Sequence, residues 1–217
     1  AKNHKDVVIV ASQKQYALLD SVLESGKGIT TIEQRKEFAR EAFNTSSHYD
    51  SAIFNYFNNG IDNSEKISLT NGSVLRYGEN PHQKAIFYSF SNTKTNSTLA
   101  NSQVLQGKEL SYNNMLDADA AWKAASDAYH AVAHIPNKTA VSVVKHLNPC
   151  GLAVSDSSIK ALELAWAGDP ISAFGGILCF TSQVDADVAT WLSDKFIEII
   201  IAPSYTDAAK ELFAKKK

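Results

Sequence analysis

The sequence predicts an α/β fold in which helices cover both faces of a sheet. From about residue 83 onward, short apolar segments alternate with segments that have the spacing of amphipathic helices. The apolar segments are rich in β-branched side chains and are apolar at nearly every position, as in strands that are buried on both faces. Strands that alternate with helices in this way indicate an α/β sheet between helical layers.

The first part of the chain is predicted to be mainly helical. Residues 7–11 form an apolar candidate strand, and residues 13–25 form a helix that ends at a Gly-Lys-Gly sequence. A second helix begins after Thr31, which is a suitable N-cap, and another helix at residues 47–60 ends in Asn-Asn-Gly. Residues 61–72 are polar and rich in turn-forming residues, which favours a linker.

Strands and helices then alternate along the rest of the chain. The predicted strands are residues 83–90, 139–146, 175–182 and 197–203. The predicted helices are residues 115–129, 155–168, 185–196 and 205–217. Ser155 or Asp156 is the expected N-cap of the second of these helices. The Asn-Pro-Cys-Gly sequence at residues 148–151 predicts a sharp turn.

The composition is that of an ordinary globular protein and excludes several classes of function. The 217 residues allow one or two domains, with 44% hydrophobic residues, 20% charged residues and a net charge of −2. This charge argues against a general nucleic-acid binder, although it is compatible with a local basic pocket for a phosphorylated metabolite. Two cysteines without Cys-x-x-Cys spacing, and the lack of a membrane-spanning run or signal peptide, favour the cytoplasm. Because the chain starts almost within a strand and stops within a predicted helix, we expect a piece of a larger protein.

Lys145 and His146 lie side by side at the end of a predicted strand, where ligand sites of α/β sheets gather. Histidine titrates near neutral pH and moves protons, and an adjacent ammonium stabilises developing negative charge. The pair therefore indicates a proton-transfer site. The alternative is structural: a lysine whose stem packs at the strand end, and a histidine that is hydrogen-bonded in the core.

Two further loops contain candidate binding residues. Arg76 offers a planar fork for a phosphate or carboxylate, and Tyr77 adds a ring and a hydroxyl; the alternative is a surface turn. In the sequence GDPISAFGGI, small residues let backbone N–H groups approach a ligand, and Phe174 can pack on a flat ring. The alternative there is a plain helix-to-strand connection. Cys150 and His146 are a conceivable nucleophile pair, whereas a simply buried cysteine is the commoner arrangement.

Other familiar chemistries lack their motifs in this sequence. A zinc deaminase requires His-x-Glu and Pro-Cys-x-x-Cys. Here Pro149 and Cys150 are followed by Gly-Leu-Ala, and no histidine has a glutamate two positions on. Neither a GK[ST] phosphate loop nor a dinucleotide-binding fingerprint occurs. We therefore expect no metal site.

Five distinctive segments occur in the order LRYGENPHQ, SYNNMLDADAAW, VVKHLNPCGLAV, DPISAFGGI and IIIAPSYTDAAKEL. Together they closely resemble the bifunctional AICAR transformylase/IMP cyclohydrolase family of purine biosynthesis, except that Leu147 stands where a small polar residue is expected. The resemblance implies that residues 1–60 are the C-terminal part of a Rossmann-like cyclohydrolase domain. Residues 61–72 are then a linker, and residues 73–217 are the first part of a transformylase domain with a cytidine-deaminase-like α/β fold but no zinc.

The resemblance also implies roles for named residues. The family transfers a formyl group from 10-formyltetrahydrofolate to the amine of AICAR, an aminoimidazole carboxamide ribotide. His146 would accept the amine proton, and Lys145 would stabilise the oxyanion or protonate the departing folate nitrogen. Arg76 and Tyr77 would hold the ribotide. The other expected substrate-lining residues are Asn114, Phe174, Gly175 and Glu198.

The second activity of the family closes the formylated product to inosine monophosphate, and Lys2 matches a lysine of that site. A solvated terminal lysine is the alternative for Lys2. The resemblance further implies a homodimer with its active site between subunits, in the cytoplasm, with no nucleic acid or membrane partner. This chain alone is expected to be inactive. The alternative function is a truncated or non-catalytic fragment of the same fold that binds ligands or partner proteins.

Overall fold

The computed structural model describes residues 1–90 and 98–216. The chain divides into two compact units. Among the described residues, the first unit comprises residues 1–71 and 88–90, and the second comprises residues 72–87 and 98–216. The overall α/β class predicted from the sequence is confirmed, with both helices and sheets present.

The first unit is built on helices α1 (Tyr16–Ser25) and α2 (Ile32–Asn58). Thr31 caps α2 as predicted, because its hydroxyl accepts from the Gln34 N–H while the Gln34 side chain accepts from the Thr31 N–H. A separate helix at residues 47–60 is wrong: α2 continues through this region without a break. No Gly or Pro occurs from Ile32 to Asn58, and the helix ends only where Asn59 adopts a left-handed conformation with φ 34°.

The predicted strand at residues 7–11 needs correction. Residues 7–11 are extended, but no strand in the described part of the chain pairs with them, and Val7 is 47% exposed. An apolar run becomes a strand only where a sheet edge accepts its hydrogen bonds. Strand β1 (Leu69–Val74) begins within the predicted linker and pairs with β2 (Ile86–Phe90) in a two-stranded sheet.

The second unit contains a four-stranded sheet in the order β4-β3-β5-β6. Its strands are β3 (Thr139–Lys145), β4 (Asn148–Ser155), β5 (Ile177–Phe180) and β6 (Ile199–Ile201). β3 is antiparallel to both β4 and β5, and β5 is parallel to β6. The sheet is therefore mixed. The predicted turn at residues 148–151 is wrong, because these residues begin β4; Pro149 is tolerated there since β4 is an edge strand.

Helices cover both faces of this sheet, as the apolar strands predict. The helices are α3 (Tyr112–Ala131), α4 (Ser158–Gly168), α5 (Pro170–Ala173), α6 (Ala186–Trp191) and α7 (Asp207–Ala214). α3 packs on the face that presents Val144 and Ile177. α4, α6 and α7 pack on the opposite face, which presents Val143, Leu178 and Phe180. The sheet is thus a buried layer between two helical layers.

The boundaries of several elements differ from those predicted. The N-cap of α4 is Ser157 rather than Ser155 or Asp156, because the Ser157 hydroxyl accepts from the Lys160 N–H, whereas Ser155 still belongs to β4. α6 and β6 are shorter than the predicted segments. Lys217, the last residue of the predicted terminal helix, lies outside the described residues.

Candidate active site at the end of strand β3

His146 and Leu147 form the two-residue turn between β3 and β4. Lys145 pairs with Asn148 across the hairpin, and the two residues between them have φ values of 55° and 67°. Positive φ at both central positions is the type I′ arrangement of tight hairpins, which normally selects Asn and Gly. The Asn148 side-chain amide donates to the His146 carbonyl at 2.8 Å. The turn therefore presents His146 at the exposed tip of the hairpin.

Asp117 of helix α3 holds this turn from outside the hairpin. One carboxylate oxygen accepts from the Leu147 N–H at 2.7 Å, and the other accepts from the His146 N–H at 3.3 Å. Asp117 is not among the site residues predicted from the sequence. It lies within the segment SYNNMLDADAAW, but an acidic residue on a helix is by itself no sign of a contact with a distant turn.

Lys145 is fixed against the loop that precedes β5. Its ammonium donates to the Phe174 carbonyl at 2.6 Å. Gly175, which follows Phe174 in the chain, has φ 70° and donates its N–H to the Phe196 carbonyl at 2.8 Å. A side chain at Gly175 would meet the Phe196 ring at 3.2 Å. The Phe174 ring is 61% exposed and lies 5.3 Å from that of Phe196, so it can contact a ligand.

Asn114 and Glu198 contact each other directly. The Asn114 amide donates to a Glu198 carboxylate oxygen at 2.7 Å. Its own carbonyl oxygen accepts from the N–H and the hydroxyl of Ser111, in the capping box that begins α3. The Glu198 N–H donates to the Gly176 carbonyl at 3.1 Å. The Asn114 side chain is thus held at both its oxygen and its nitrogen, and its amide holds the Glu198 carboxylate.

Five of the predicted residues lie where β3 ends or where β5 and β6 begin: Lys145, His146, Phe174, Gly175 and Glu198. Lys145 lies at the carboxyl end of its strand, as predicted, whereas Gly175 and Glu198 precede their strands. This difference follows from the antiparallel pairing of β3 with β5, which brings opposite ends of neighbouring strands together. An open cavity beside the hairpin is lined by Lys145, His146, Asn148, Pro149, Cys150, Ile171 and Ser172.

Arg76 and Tyr77 lie in a loop that is tied to the start of α3. The Arg76 N–H donates to the Leu110 carbonyl at 2.8 Å, and the Tyr112 N–H donates to the Tyr77 carbonyl at 3.0 Å. The Arg76 guanidinium lies 4.9 Å from the centre of the Tyr77 ring and donates to its hydroxyl at 3.2 Å. Within the described residues, no hydrogen bond joins this pair to Lys145 or His146.

Cys150 follows the hairpin turn, but its surroundings do not activate it. Burial raises the pKa of the Cys150 thiol and the Asp169 carboxylate adds to this, and together they outweigh the lowering by a backbone hydrogen bond and by the Lys145 ammonium. The thiol donates to the Val143 carbonyl at 3.5 Å. A nucleophilic cysteine requires a lowered pKa, so these surroundings favour the buried-cysteine interpretation.

Lys2 lies in the first unit, whereas the other eight predicted site residues lie in the second. It is exposed in an N-terminal turn that Arg35 holds, because the Arg35 guanidinium donates to the His4 and Lys5 carbonyls at 3.0 and 2.7 Å.

Across residues 1–90 and 98–216, no group of three or more His, Cys, Asp or Glu side chains is arranged to hold a metal ion. No helix in that part of the chain is long and apolar enough to cross a membrane.

Comparison with known proteins assigns the chain to a family. The family model described as the AICARFT/IMPCHase bienzyme matches residues 1–217. The chain is 44% identical to the bifunctional purine biosynthesis protein PurH of Bacteroides thetaiotaomicron, over 100% of this chain and 40% of the relative. Identity to the PurH proteins of Leptospira biflexa and Petrotoga mobilis is 42% and 38%, again over the whole chain and over 40% and 42% of those relatives. The chain spans about 40% of the length of the curated relatives it matches, and it belongs to the AICARFT/IMPCHase bienzyme family.

Proposed function

We propose that this chain is part of a longer bifunctional enzyme of purine biosynthesis. One activity is formyl transfer from 10-formyltetrahydrofolate to AICAR, and the other closes the formylated product to inosine monophosphate. Residues 1–60 are the end of a Rossmann-like cyclohydrolase domain that contains Lys2. Residues 61–72 are a linker, and residues 73–217 begin a zinc-free, cytidine-deaminase-like transformylase domain. The family match over the whole chain and the PurH relatives support this assignment.

The observation that carries the proposal is the fixed hairpin tip at the end of β3. His146 lies at the tip and Lys145 at its base, where the Phe174 carbonyl holds the ammonium. The AICAR amine is a poor nucleophile because its lone pair is conjugated with the ring and carboxamide. A base that removes the amine proton during attack therefore lowers the barrier, and His146 serves as that base.

Lys145 supplies the complementary positive charge. Attack of the amine on the formyl carbon places negative charge on the formyl oxygen, before the bond to the folate nitrogen breaks. An ammonium has three donor hydrogens, and the bond to the Phe174 carbonyl uses one of them. The remaining donors can stabilise the oxyanion or deliver a proton to the departing nitrogen.

The remaining residues bind and orient the ribotide. Arg76 supplies a guanidinium for the phosphate, next to the ring of Tyr77. The exposed Phe174 ring packs on the imidazole, beside Gly175. Glu198 accepts a hydrogen bond from the carboxamide or ring, and Asn114 orients this carboxylate through the 2.7 Å contact. The donor, 10-formyltetrahydrofolate, acts as a substrate, and no metal takes part.

The working enzyme is expected to be a cytoplasmic homodimer with its active site between subunits. The alternative function is a truncated or non-catalytic fragment that binds ligands or partner proteins. Assaying the full-length protein with AICAR and 10-formyltetrahydrofolate separates the two. Formation of inosine monophosphate supports the proposal, whereas AICAR binding without formyl transfer supports the alternative. The same assay on the 217-residue chain tests the expectation that it is inactive alone.

A further inference from the structure

The turn that presents His146 has an unusual backbone for its residues. Neither His146 nor Leu147 is a glycine, yet both have positive φ. The left-handed conformation costs about 1–2 kcal/mol for a residue with a side chain, so the hairpin needs an outside contact to keep this shape. Without such a contact, the turn can relax to a conformation that points His146 elsewhere.

The Asp117 carboxylate supplies that contact. Successive residues in this conformation direct their N–H groups to one side, which forms a small concave site for an anion. Asp117 fills the site with both of its oxygens, at 2.7 Å from the Leu147 nitrogen and 3.3 Å from the His146 nitrogen. Hydrogen bonds to an ionised acceptor are about twice as strong as neutral ones. The bidentate contact therefore fixes the peptide that precedes and the peptide that follows the His146 Cα.

Helix α3 also fixes the other half of the site. Asn114 and Asp117 are three residues apart, so they lie on the same face of the helix. Asn114 contacts Glu198, and Asp117 contacts the hairpin turn. A single rigid helix thus sets the position of the proposed base and of the carboxylate proposed to orient the ribotide. Sites that are supported in this way hold their geometry more closely than sites on loops alone.

We propose that Asp117 is a positioning residue for formyl transfer, which acts by holding the His146 turn in its left-handed conformation. The proposal rests on the function of His146 given above. It assigns Asp117 no contact with substrate. Removing its carboxylate should therefore lower kcat through a displaced His146, while the binding of AICAR through Arg76 and Phe174 is retained.

The test uses Asp117→Ala and Asp117→Asn in the full-length protein, with Asp119→Ala as the matched control. Asp119 lies on the same helix, but its carboxylate contacts only Lys123 among the described residues, at 2.5 Å. We expect Asp117→Ala to lower formyl-transfer kcat by on the order of tenfold to a hundredfold, as for a displaced catalytic group. The AICAR KM should stay within about twofold. Asp117→Asn retains one acceptor oxygen and should give an intermediate kcat.

Two further measurements distinguish positioning from a merely structural role. Cyclohydrolase turnover of pre-formylated substrate should be unchanged in Asp117→Ala, and the Asp119→Ala control should be normal in both activities. The double variant Asp117→Ala with His146→Ala should be no slower than His146→Ala alone, because residues that act as a unit are not additive.

The outcomes separate this inference from the proposed function. If His146→Ala lowers formyl transfer but Asp117→Ala and Asp117→Asn have wild-type kcat, the positioning role is wrong and the function stands. A double variant that loses a further tenfold also overturns the positioning role. If His146→Ala itself transfers formyl groups normally, the proposed site is wrong, whatever Asp117 does. If Asp117→Ala fails to fold, the kcat of the nearly isosteric Asp117→Asn variant tests the positioning role by the same criteria.

Discussion

Gly151 allows helix α4 to approach strand β4 more closely than any residue with a side chain would. A Cβ atom at Gly151 would lie 1.8 Å from the Ala165 carbonyl oxygen and 2.7 Å from its carbon. Both are backbone atoms, so no rotamer change relieves the overlap. Gly168, at the end of α4, has its own close approach, with the Cys150 carbonyl oxygen 3.1 Å from an added Cβ. Gly151→Ala must therefore push the helix off the strand.

The expected loss of stability follows from how far α4 must move to make room for the added Cβ atom. Real Cβ atoms essentially never approach closer than 3.0 Å, so the 1.8 Å contact requires a shift of about 1.2 Å. α4 buries Ala161, Leu162 and Ala165 almost completely, and a displaced helix loses this packing. Overpacking typically costs 1–3 kcal/mol, and we expect Gly151→Ala to reach about 3 kcal/mol. At about 2–4 °C per kcal/mol, Tm should fall by roughly 6–12 °C.

Thermal unfolding of the wild-type and variant proteins, followed by circular dichroism, measures this loss. Leu152→Ala is the matched control, because Leu152 is the next residue of β4 and its side chain is 46% exposed. The control should change Tm by no more than about 3 °C, as expected for a loss of less than 1 kcal/mol. A Gly151→Ala protein as stable as wild type would refute the close packing of α4 on β4.

Three further changes test the region of the site. Leu147→Gly should stabilise the protein by about 0.5–1 kcal/mol, because relief of the left-handed strain exceeds the entropy cost of glycine; Leu147→Ala, which keeps the strain, should show no gain in Tm. Arg76→Lys in the full-length protein should weaken AICAR binding roughly tenfold, since a point charge loses the fork geometry, while the unphosphorylated riboside should bind both proteins equally. Equal losses for both ligands in calorimetry would assign Arg76 another role. Because burial raises the pKa of the Cys150 thiol, this thiol should alkylate more slowly at pH 7 than a free cysteine. The Cys150→Ala variant should retain formyl transfer. An inactive Cys150→Ala variant would restore the nucleophile hypothesis.

The hairpin between β3 and β4 shows where prediction from the sequence succeeds and where it fails. The strand before Lys145 is evident from its β-branched residues, and the structure confirms it. The sequence predicts the turn at residues 148–151, because Asn and Pro commonly form turns, whereas the turn lies at His146 and Leu147. Histidine is enriched at positive φ but leucine is not, and neither is the Asn or Gly that this turn normally selects. The N–H groups of both residues donate to Asp117, 29 and 30 residues away along the chain, and local propensity cannot reveal contacts at that distance.

In the candidate site, too, a local sequence pattern identifies some residues, whereas others are identified only by contacts with residues far along the chain. Motif resemblance selects Asn114 and Glu198 as separate binding residues, and the structure joins them in one hydrogen bond. The Ser111 capping box that orients Asn114 is local and has a recognisable pattern at this spacing. Asp117 has no such pattern, because its partners lie 29 and 30 residues away along the chain. Tertiary contacts of this kind can be identified only from a three-dimensional structure.

The most direct test of the central claim is formyl transfer by His146→Ala and Lys145→Met in the full-length protein. If His146 removes the amine proton of AICAR, His146→Ala should lower the kcat of formyl transfer by on the order of a hundredfold or more. Cyclohydrolase turnover and Tm should stay near their wild-type values, because His146 is exposed at a turn. Lys145→Met keeps the aliphatic stem and removes the charge, so it should also lose formyl transfer while remaining folded. Well-folded variants with near-normal formyl transfer would contradict the account and remove the end of β3 as the catalytic site.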